Sequence, residues 1–306
     1  MPNRSHFNNA HRAMNKLHRD GLKHKSDVEY EIPKKVNLGI LVTDAISFIK
    51  QVPDESIQLL IIDPPYNLEI ATWDAYQNYI SWAKQWLDEI HRILKPGGNC
   101  VIFGGFQFQD VRSGDLLEIM HYLRHQSNLR LVNLIIWNYP NGMSAHRFFA
   151  NRHEEIAWFT KTDKYYFDLD AVREKYDAET LKEYLKDKRL NPEHTRKGKN
   201  PTNVWKMNRL GGNSKERTGH PTQKPQEVIR RIIKALSFPG SLVLDLFAGS
   251  GPSGIVSLQE RRNCILVDAS KDMPKQFEML RKKAELPKGD EIIKNPKPEK
   301  LAKFFE

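Results

Sequence analysis

Cysteine is almost absent from this 306-residue chain: Cys100 and Cys264 are the only two. Both fall in apolar stretches that read as strands. A disulfide framework is not expected, and a reducing compartment such as the cytoplasm fits. No Cys-x-x-Cys pair occurs, and the 11 histidines lack the spacing of a zinc site, so no metal is expected. Long apolar runs are missing too. None approaches the ~18 residues of a membrane-spanning helix. The first residues, "MPNRSHFNNAHRAMNKLHRDGLKHKSD", hold no apolar core of a signal peptide. They are basic and rich in histidine, and read as a surface arm rather than the start of a core. A membrane is therefore not an expected partner, and no internal repeat is visible.

Positive charge, by contrast, is plentiful. Lys and Arg outnumber Asp and Glu 48 to 38, which gives a net charge of +10. Such a balance points to an anionic partner, nucleic acid first. Hydrophobic residues make up 39% of the chain, enough for a real core. Short apolar runs recur at 38–44, 56–62, 99–105, 131–139, 153–161, 240–247 and 262–268, the first ending at Asp44. The run "SIQLLII" is almost continuous, as in a parallel strand covered on both faces. Helical spacing appears between the strands. In "YISWAKQWLDEIHRILKPGG" the apolar positions Ile80, Ala83, Trp86, Leu87, Ile90 and Leu94 share a face, and Pro96 with the glycine pair stops the helix. "GDLLEIMHYLRHQ" and "PQEVIRRIIKALS" read as further helices. Strands alternating with helices indicate an α/β protein with a seven-stranded, mostly parallel sheet.

From about 162 to 218 the apolar periodicity fades. This stretch is dense in Lys, Arg and Asn, with aromatics at Tyr184 and Trp205. It reads either as a long solvated insertion or as a module whose basic residues neutralise phosphates while Arg and Asn read base edges.

Two stretches carry chemistry. In "LLIIDPPYNL" (59–68) an apolar strand runs into Asp63, Pro64, Pro65 and Tyr66. The prolines fix φ and remove N–H donors, so the backbone there presents acceptors in a rigid loop. In "VLDLFAGSGPSG" (243–254) a strand ends at Asp245. Gly249 and Gly251 follow, and Pro252 opens a helix at the first position, where its missing N–H is not needed. Glycines let a ligand approach the backbone closely. The next strand, "ILVD", ends at Asp268, and an acid there can hold the hydroxyls of a ribose. The loop lacks the Lys-Ser/Thr of a P-loop, and its spacing is not Gly-x-Gly-x-x-Gly. Taken singly, each stretch also reads as an ordinary turn leaving a strand.

Together, "DPPY", "FAGSG", "NLIIWNYPNGMSAHRFFANRHEEIAWF" and "GHPTQKP" resemble the amino-methylating DNA methyltransferases. "DPPY" precedes "FAGSG" by about 180 residues. That order, with a basic insertion between, resembles the beta class. The resemblance spans about Leu38 to Asp268. It implies a Rossmann-like, S-adenosylmethionine-dependent methyltransferase fold of permuted order, in which "ILVD" near the C-terminus and "ILVTD" near the N-terminus are sheet neighbours. It implies a basic arm at 1–36, a catalytic half at 37–161, a target-recognition insertion at 162–218, and a cofactor-binding half with a C-terminal tail at 219–306.

By the same resemblance Asp63, Pro64, Pro65 and Tyr66 are catalytic. An exocyclic amine is a poor nucleophile because its lone pair is delocalised into the ring. The Asp63 carboxylate and the Pro64 carbonyl would accept its two N–H hydrogens and favour a pyramidal nitrogen. Tyr66 would offer a flat face to a base flipped from the duplex. Asp245, Phe247, Ala248, Gly249, Ser250, Gly251 and Asp268 would bind S-adenosylmethionine. Asp44 would face its adenine ring, or serve a helix entry. Lys224, with Thr222 nearby, would meet its methionine carboxylate. Trp137, Asn138 and "RFFANRHEE" are structural or DNA-facing, and His153 reads as a loop or core histidine. Tyr76 and Trp82 read as helix core, while Trp73 is a candidate neighbour of the flipped base.

The expected activity is methylation of adenine N6 in double-stranded DNA, within a restriction-modification system. A homodimer and a cognate restriction endonuclease acting on the same site are the expected partners. Cytosine-N4 methylation is the alternative within the class. A non-catalytic nucleic-acid-binding protein on the same fold is the alternative outside it, and RNA or protein methylation is disfavoured by the motif order.

Overall fold

The computed structural model describes residues 28–68, 74–105, 116–141, 146–147 and 149–306. Most of the N-terminal arm, and Trp73, therefore lie outside the described residues.

Along the chain, β1 (Asn37–Val42) leads through Asp44 into α1 (Ala45–Ile49). β2 (Ile57–Ile62) is followed by α2 (Tyr79–Ile93) and β3 (Leu94–Gly104). α3 (Leu116–Gln126), β4 (Arg130–Asn138) and β5 (His153–Thr160) come next. The basic segment holds α4 (Ala178–Lys186), α5 (Pro192–Lys197) and β6 (Val204–Lys206). Then follow α6 (Gln226–Leu236), β7 (Leu242–Asp245), α7 (Pro252–Gln259) and β8 (Asn263–Asp268). α8 (Met273–Arg281), β9 (Glu291–Lys294) and α9 (Pro298–Ala302) finish the chain.

The strands form one sheet in the order β6-β4-β5-β3-β2-β7-β8-β1-β9. Among the described residues only the β3–β5 and β4–β5 strand pairs are antiparallel. The expected count of seven strands is corrected to nine: β6 pairs with β4 at one edge and β9 with β1 at the other. Both additions are short and carry charged residues, so neither shows an apolar run. The basic segment is thus not wholly a solvated insertion, because β6 seats Trp205 opposite Trp137 and buries it.

β2 illustrates why the sheet sits at the centre. All six of its residues are buried, with Leu59 and Ile61 in one apolar cluster and Leu60 and Ile62 in the other. The period-2 alternation of a strand makes this split, and each face needs a helical cover. α6, α7 and α8 cover the first face, α1, α2 and α3 the second. α2 ends at Ile93, earlier than the expected stop at Pro96, because Leu94 already pairs with Ile57 in β2. A residue before proline is pushed out of the helical region, which helps end the helix there. Among the described residues no helix is long and apolar enough to cross a membrane. Cys100 and Cys264 are buried free thiols, and burial pushes both thiols up.

The register brings the two chemical loops together. β2 and β7 are parallel neighbours with Ile61 opposite Asp245. The chain after Ile62 and the chain after Asp245 therefore leave the sheet side by side. β1 and β8 are also parallel neighbours, with Val42 opposite Asp268, as the permuted order implies. The crevice outside the carboxyl ends of such strands is where open α/β sheets bind ligands.

Candidate active site

A cavity of about 520 Å³ opens at these strand ends, within the ~300–1,000 Å³ typical of small-molecule sites. Asp63, Pro64, Pro65 and Tyr66 line it from the β2 loop, and Asp245, Phe247, Ala248, Gly249 and Ser250 from the β7 loop. Asp44, Thr222, Lys224 and Asp268 complete the wall. Of the site residues expected from the sequence, Gly251 alone is not in the lining. It is the N-cap of α7 at φ 78°, and a Cβ there would come within 2.9 Å of Leu266 and 3.0 Å of Phe277. Its work is to turn the chain against the core, which places the residues before it.

The glycine loop is pinned by Asp268. One carboxylate oxygen accepts the Gly249 N–H at 2.8 Å and the other the Ser270 N–H at 2.8 Å. Burial raises the Asp268 carboxyl above the usual range, against the pull of those two amides. Asp245 is buried beneath the loop and accepts a hydrogen bond from the Ser253 hydroxyl. Burial pushes it up to about 7, with the Ser253 bond opposing and the charge of Asp63 adding to the rise. Asp44 serves the helix entry: its carboxylate accepts the Ser47 N–H at 2.7 Å and caps α1 while still bordering the cavity.

At the other end, both oxygens of Asp63 are engaged. The Tyr66 hydroxyl donates to Oδ1 at 2.8 Å, and the Lys224 ammonium pairs with Oδ2 at 2.8 Å. Lys224 also donates to the Tyr66 hydroxyl at 3.3 Å and meets Glu154 of β5 at 3.4 Å. It lies 5.3 Å from the ring centres of both Tyr66 and Phe103. Its side chain is only 7% exposed, a position where an unpaired charge would be costly. Burial works against the charge, but Asp63 and Glu154 raise the Lys224 ammonium well above its usual value. It is charged at neutral pH, and its partners place it beside Asp63 and Tyr66.

The loop after the tetrapeptide is clamped from within. Asn67 sits in the left-handed region at φ 58°. Asp74 accepts the Asn67 N–H at 2.6 Å and the Leu68 N–H at 3.0 Å, and the Asn67 side chain accepts the Tyr76 N–H at 2.6 Å.

Several wall residues were not singled out by the sequence. Glu154 lay in a segment whose structural and DNA-facing readings could not be separated. His220 lay inside "GHPTQKP"; its ring covers Gly249, where an added Cβ would meet it at 3.1 Å. Burial holds the His220 imidazole below its usual value, which favours the neutral ring. Tyr76 and Trp82, expected in a helix core, line the cavity and stack at 4.3 Å beside Phe247. Trp137 is buried, with its indole N–H donating to the Met207 carbonyl at 2.9 Å. Asn138 donates to the Arg152 carbonyl at 2.8 Å, so both hold β4 to its neighbours. His153 pairs with Glu155 at 3.0 Å, away from the lining.

A second cavity of about 440 Å³ adjoins the first. Tyr66 and Pro221–Lys224 border both, while Trp137, Asn141, Glu154, Arg209 and Arg217 face only the second. Tyr66 of the tetrapeptide thus stands between two chambers.

The DNA methylase family's sequence profile matches residues 57–279. That span runs from the start of β2 to α8 and holds both loops. The chain belongs to this family. It is 34% identical over 228 residues to the Type II methyltransferase M.BglII of Bacillus subtilis, covering 74% of this chain and 63% of that protein, so it spans less than two thirds of that relative. It is 30% identical over 244 residues to the DNA adenine methyltransferase YhdJ of Escherichia coli strain K12, covering 76% and 79%. Its fold matches the PvuII DNA methyltransferase (cytosine-N4-specific) with a TM-score of 0.63 over 90% of this chain and 94% of that one, at 18% identity. The α/β architecture is that of the DNA methyltransferases, with two edge strands beyond the seven expected.

Proposed function

We propose that the chain transfers a methyl group from S-adenosylmethionine to N6 of an adenine flipped out of duplex DNA. The observation that carries this reading is the placement of Asp63 in one chamber, walled by the glycine loop, with its partner Tyr66 on the border to an adjoining chamber walled by Trp137 and Arg209. Methyl donor and target base need such a pair of chambers meeting beside the group that grips the amine.

The residues of the first chamber fit the cofactor. Gly249, at φ 54°, leaves no Cβ in the cradle, and the Asp268 carboxylate stands beside it. The loop residues from Phe247 to Ser250 would hold the cofactor along its length, Asp268 its ribose, Asp44 its adenine ring and Thr222 its methionine end. When bound, S-adenosylmethionine supplies an activated methyl group on a sulfonium.

The chain's own residues do the rest. Asp63 and the Pro64 carbonyl accept the two N–H hydrogens of the target amine and orient its lone pair. Tyr66, held by its hydroxyl on Asp63, presents its ring to the base, which offsets part of the cost of unstacking. Apolar walls from Phe103, Trp82 and Phe247 keep water from the reacting atoms. Positioning and electrostatics therefore supply most of the rate.

The basic segment is proposed as the target-recognition element. β6 anchors it to the sheet edge, and its continuation brings Arg209 and Arg217 to the second chamber. Adenine is favoured by the Asp of "DPPY" and by likeness to a relative named as an adenine methyltransferase. Likeness to Type II methyltransferases supports a partnership with a restriction endonuclease acting on the same site. A homodimer is proposed as well; sedimentation showing a single species of the 35.6 kDa chain at micromolar concentration would argue against it.

The test is transfer of labelled methyl from S-adenosylmethionine to unmethylated duplex DNA, with RNA and protein as parallel acceptors. Label is expected in DNA alone, and is expected to be lost with Asp63→Ala. Label in RNA or protein only, with cofactor binding intact, would overturn the substrate assignment.

A further inference from the structure

Lys224 is shared between two carboxylates, and only one of them belongs to the catalytic tetrapeptide. We infer that Glu154 is a positioning residue for methyl transfer, acting on Asp63 through the Lys224 ammonium. The inference rests on the reading of Asp63 as the acceptor for the target amine.

The geometry of the ammonium carries the argument. A lysine ammonium has three N–H donors. Three oxygens surround this one: Asp63 Oδ2 at 2.8 Å, the Tyr66 hydroxyl at 3.3 Å and, at ion-pair distance without hydrogen-bond geometry, Glu154 Oε2 at 3.4 Å. Tyr66 in turn donates to Asp63 Oδ1, which closes a ring of Asp63, Tyr66 and Lys224. Glu154 is the anchor outside that ring. Its backbone is fixed in β5 opposite Trp137 of β4, and its Oε2 is shut off from solvent. The sheet thereby sets where the ammonium sits, and the ammonium sets which way Asp63 faces.

Charge points the same way. A lone Lys224–Asp63 pair would be neutral. With Glu154 the cluster carries one net negative charge. During transfer the amine lone pair forms the new nitrogen–carbon bond, and the electron pair of the broken bond stays with the departing sulfur. The positive charge passes to the amine nitrogen, which then gives up one N–H proton to the Asp63 side and on to water. A fixed cluster of net negative charge stabilises that arriving charge without reorganising. Glu154 borders the second chamber, but in this scheme it acts through Lys224 and not by a bond to either reactant.

The test uses full-length protein with Glu154→Gln, Glu154→Asp, Lys224→Met and the Glu154→Gln/Lys224→Met pair. Single-turnover methylation, DNA KM, calorimetric affinity for S-adenosylmethionine and thermal unfolding are measured for each. Glu154→Gln is expected to slow the chemical step about 10- to 100-fold, the usual size for a residue that orients another. DNA KM and cofactor affinity should stay within about twofold, the pattern of a group felt only in the transition state. Glu154→Asp should recover much of the rate. The double variant should be no slower than Lys224→Met, because Glu154 has nothing to act on once the ammonium is gone. It should also melt higher than Lys224→Met, in which Asp63 and Glu154 lose the cation between them.

A wild-type rate in Glu154→Gln would overturn the inference. So would a double variant whose loss equals the product of the two single losses, since Glu154 would then act independently of Lys224. If the wild-type protein itself methylates no DNA, the proposed function falls. The melting temperatures still report whether Lys224 and Glu154 are coupled.

Discussion

Replacing Gly251 with alanine tests how the fold shapes the cofactor loop. Gly251 stands in the left-handed region at φ 78°, ψ 35°. A residue with a Cβ pays about 1–2 kcal/mol there. The added methyl would also lie 2.9 Å from Leu266 and 3.0 Å from Phe277, both fully buried. Neither neighbour has room to retreat, and overpacking of this kind costs about 1–3 kcal/mol. Gly251→Ala is therefore expected to destabilise the protein by about 2–5 kcal/mol. Gly249→Ala is the comparison. Its φ is 54°, but the obstacle is the His220 ring at 3.1 Å, a side chain that can turn aside. A loss of about 1–2 kcal/mol in stability is expected there, from the backbone alone. Its effect on cofactor affinity should be the larger of the two, because Gly249 lines the cavity and Gly251 does not. Gly212→Ala is the control, since nothing lies within 4 Å of its Cβ position. Urea unfolding followed by circular dichroism gives the stabilities, and calorimetry gives the cofactor affinities. A Gly251→Ala protein within about 0.5 kcal/mol of wild type, the range of an ordinary surface change, would refute the reasoning.

Asp63→Ala should fold and bind cofactor but lose about 10²–10³ in the rate of methyl transfer, the size seen when one fixed polar contact to a reacting group is removed; single-turnover kinetics checks it. Asp245 gives a stability signature. Its carboxyl is pushed up to about 7 in the folded chain, so between about pH 4 and 7 the folded state holds a proton that the unfolded state has released. Its contribution is thus most favourable at low pH and is lost as pH rises through 7, by about 4 kcal/mol at most. Asp245→Asn should flatten the slope of stability between about pH 4 and 7 in urea titrations, and an unchanged slope would contradict it. Asp74→Ala removes the acceptor for the Asn67 and Leu68 N–H groups. Amide exchange at those two residues should rise, with a slower chemical step and little change in cofactor affinity.

Most of the fold was legible because its strands are short continuous apolar runs separated by helical spacing. "IQLLII" needs both faces covered, and that alone argues for a parallel sheet flanked by helices. β6 and β9 were not legible. "VWK" has three residues and "EIIK" is flanked by charge, and each is a strand only because an edge of the sheet is there to receive it. The two chemical loops could be read because their work is local: prolines and glycines set the backbone where they stand. The Lys224–Glu154 contact could not. The two residues meet because β5 runs antiparallel between β3 and β4, and no spacing in the chain encodes that. Asp44 shows a third case. The sequence left a cofactor role and a helix-entry role open, and the structure shows the cap at Ser47 on a residue that also borders the cavity. Lys224 was expected beside the cofactor from the family resemblance of "HPTQKP". It does line the first cavity, and its additional contact with Asp63 is one that only the tertiary structure reveals.

The most direct measurement is nucleoside mass spectrometry. The protein is incubated with isotope-labelled S-adenosylmethionine and unmethylated bacterial genomic DNA, and the DNA is digested to nucleosides. Labelled N6-methyladenine is the predicted product, absent when Asp63→Ala replaces the wild-type protein. Labelled N4-methylcytosine would keep the mechanism and contradict the choice of base. No labelled nucleoside, from protein that binds the cofactor, would contradict the central claim that Asp63 presents a DNA amine to the methyl donor.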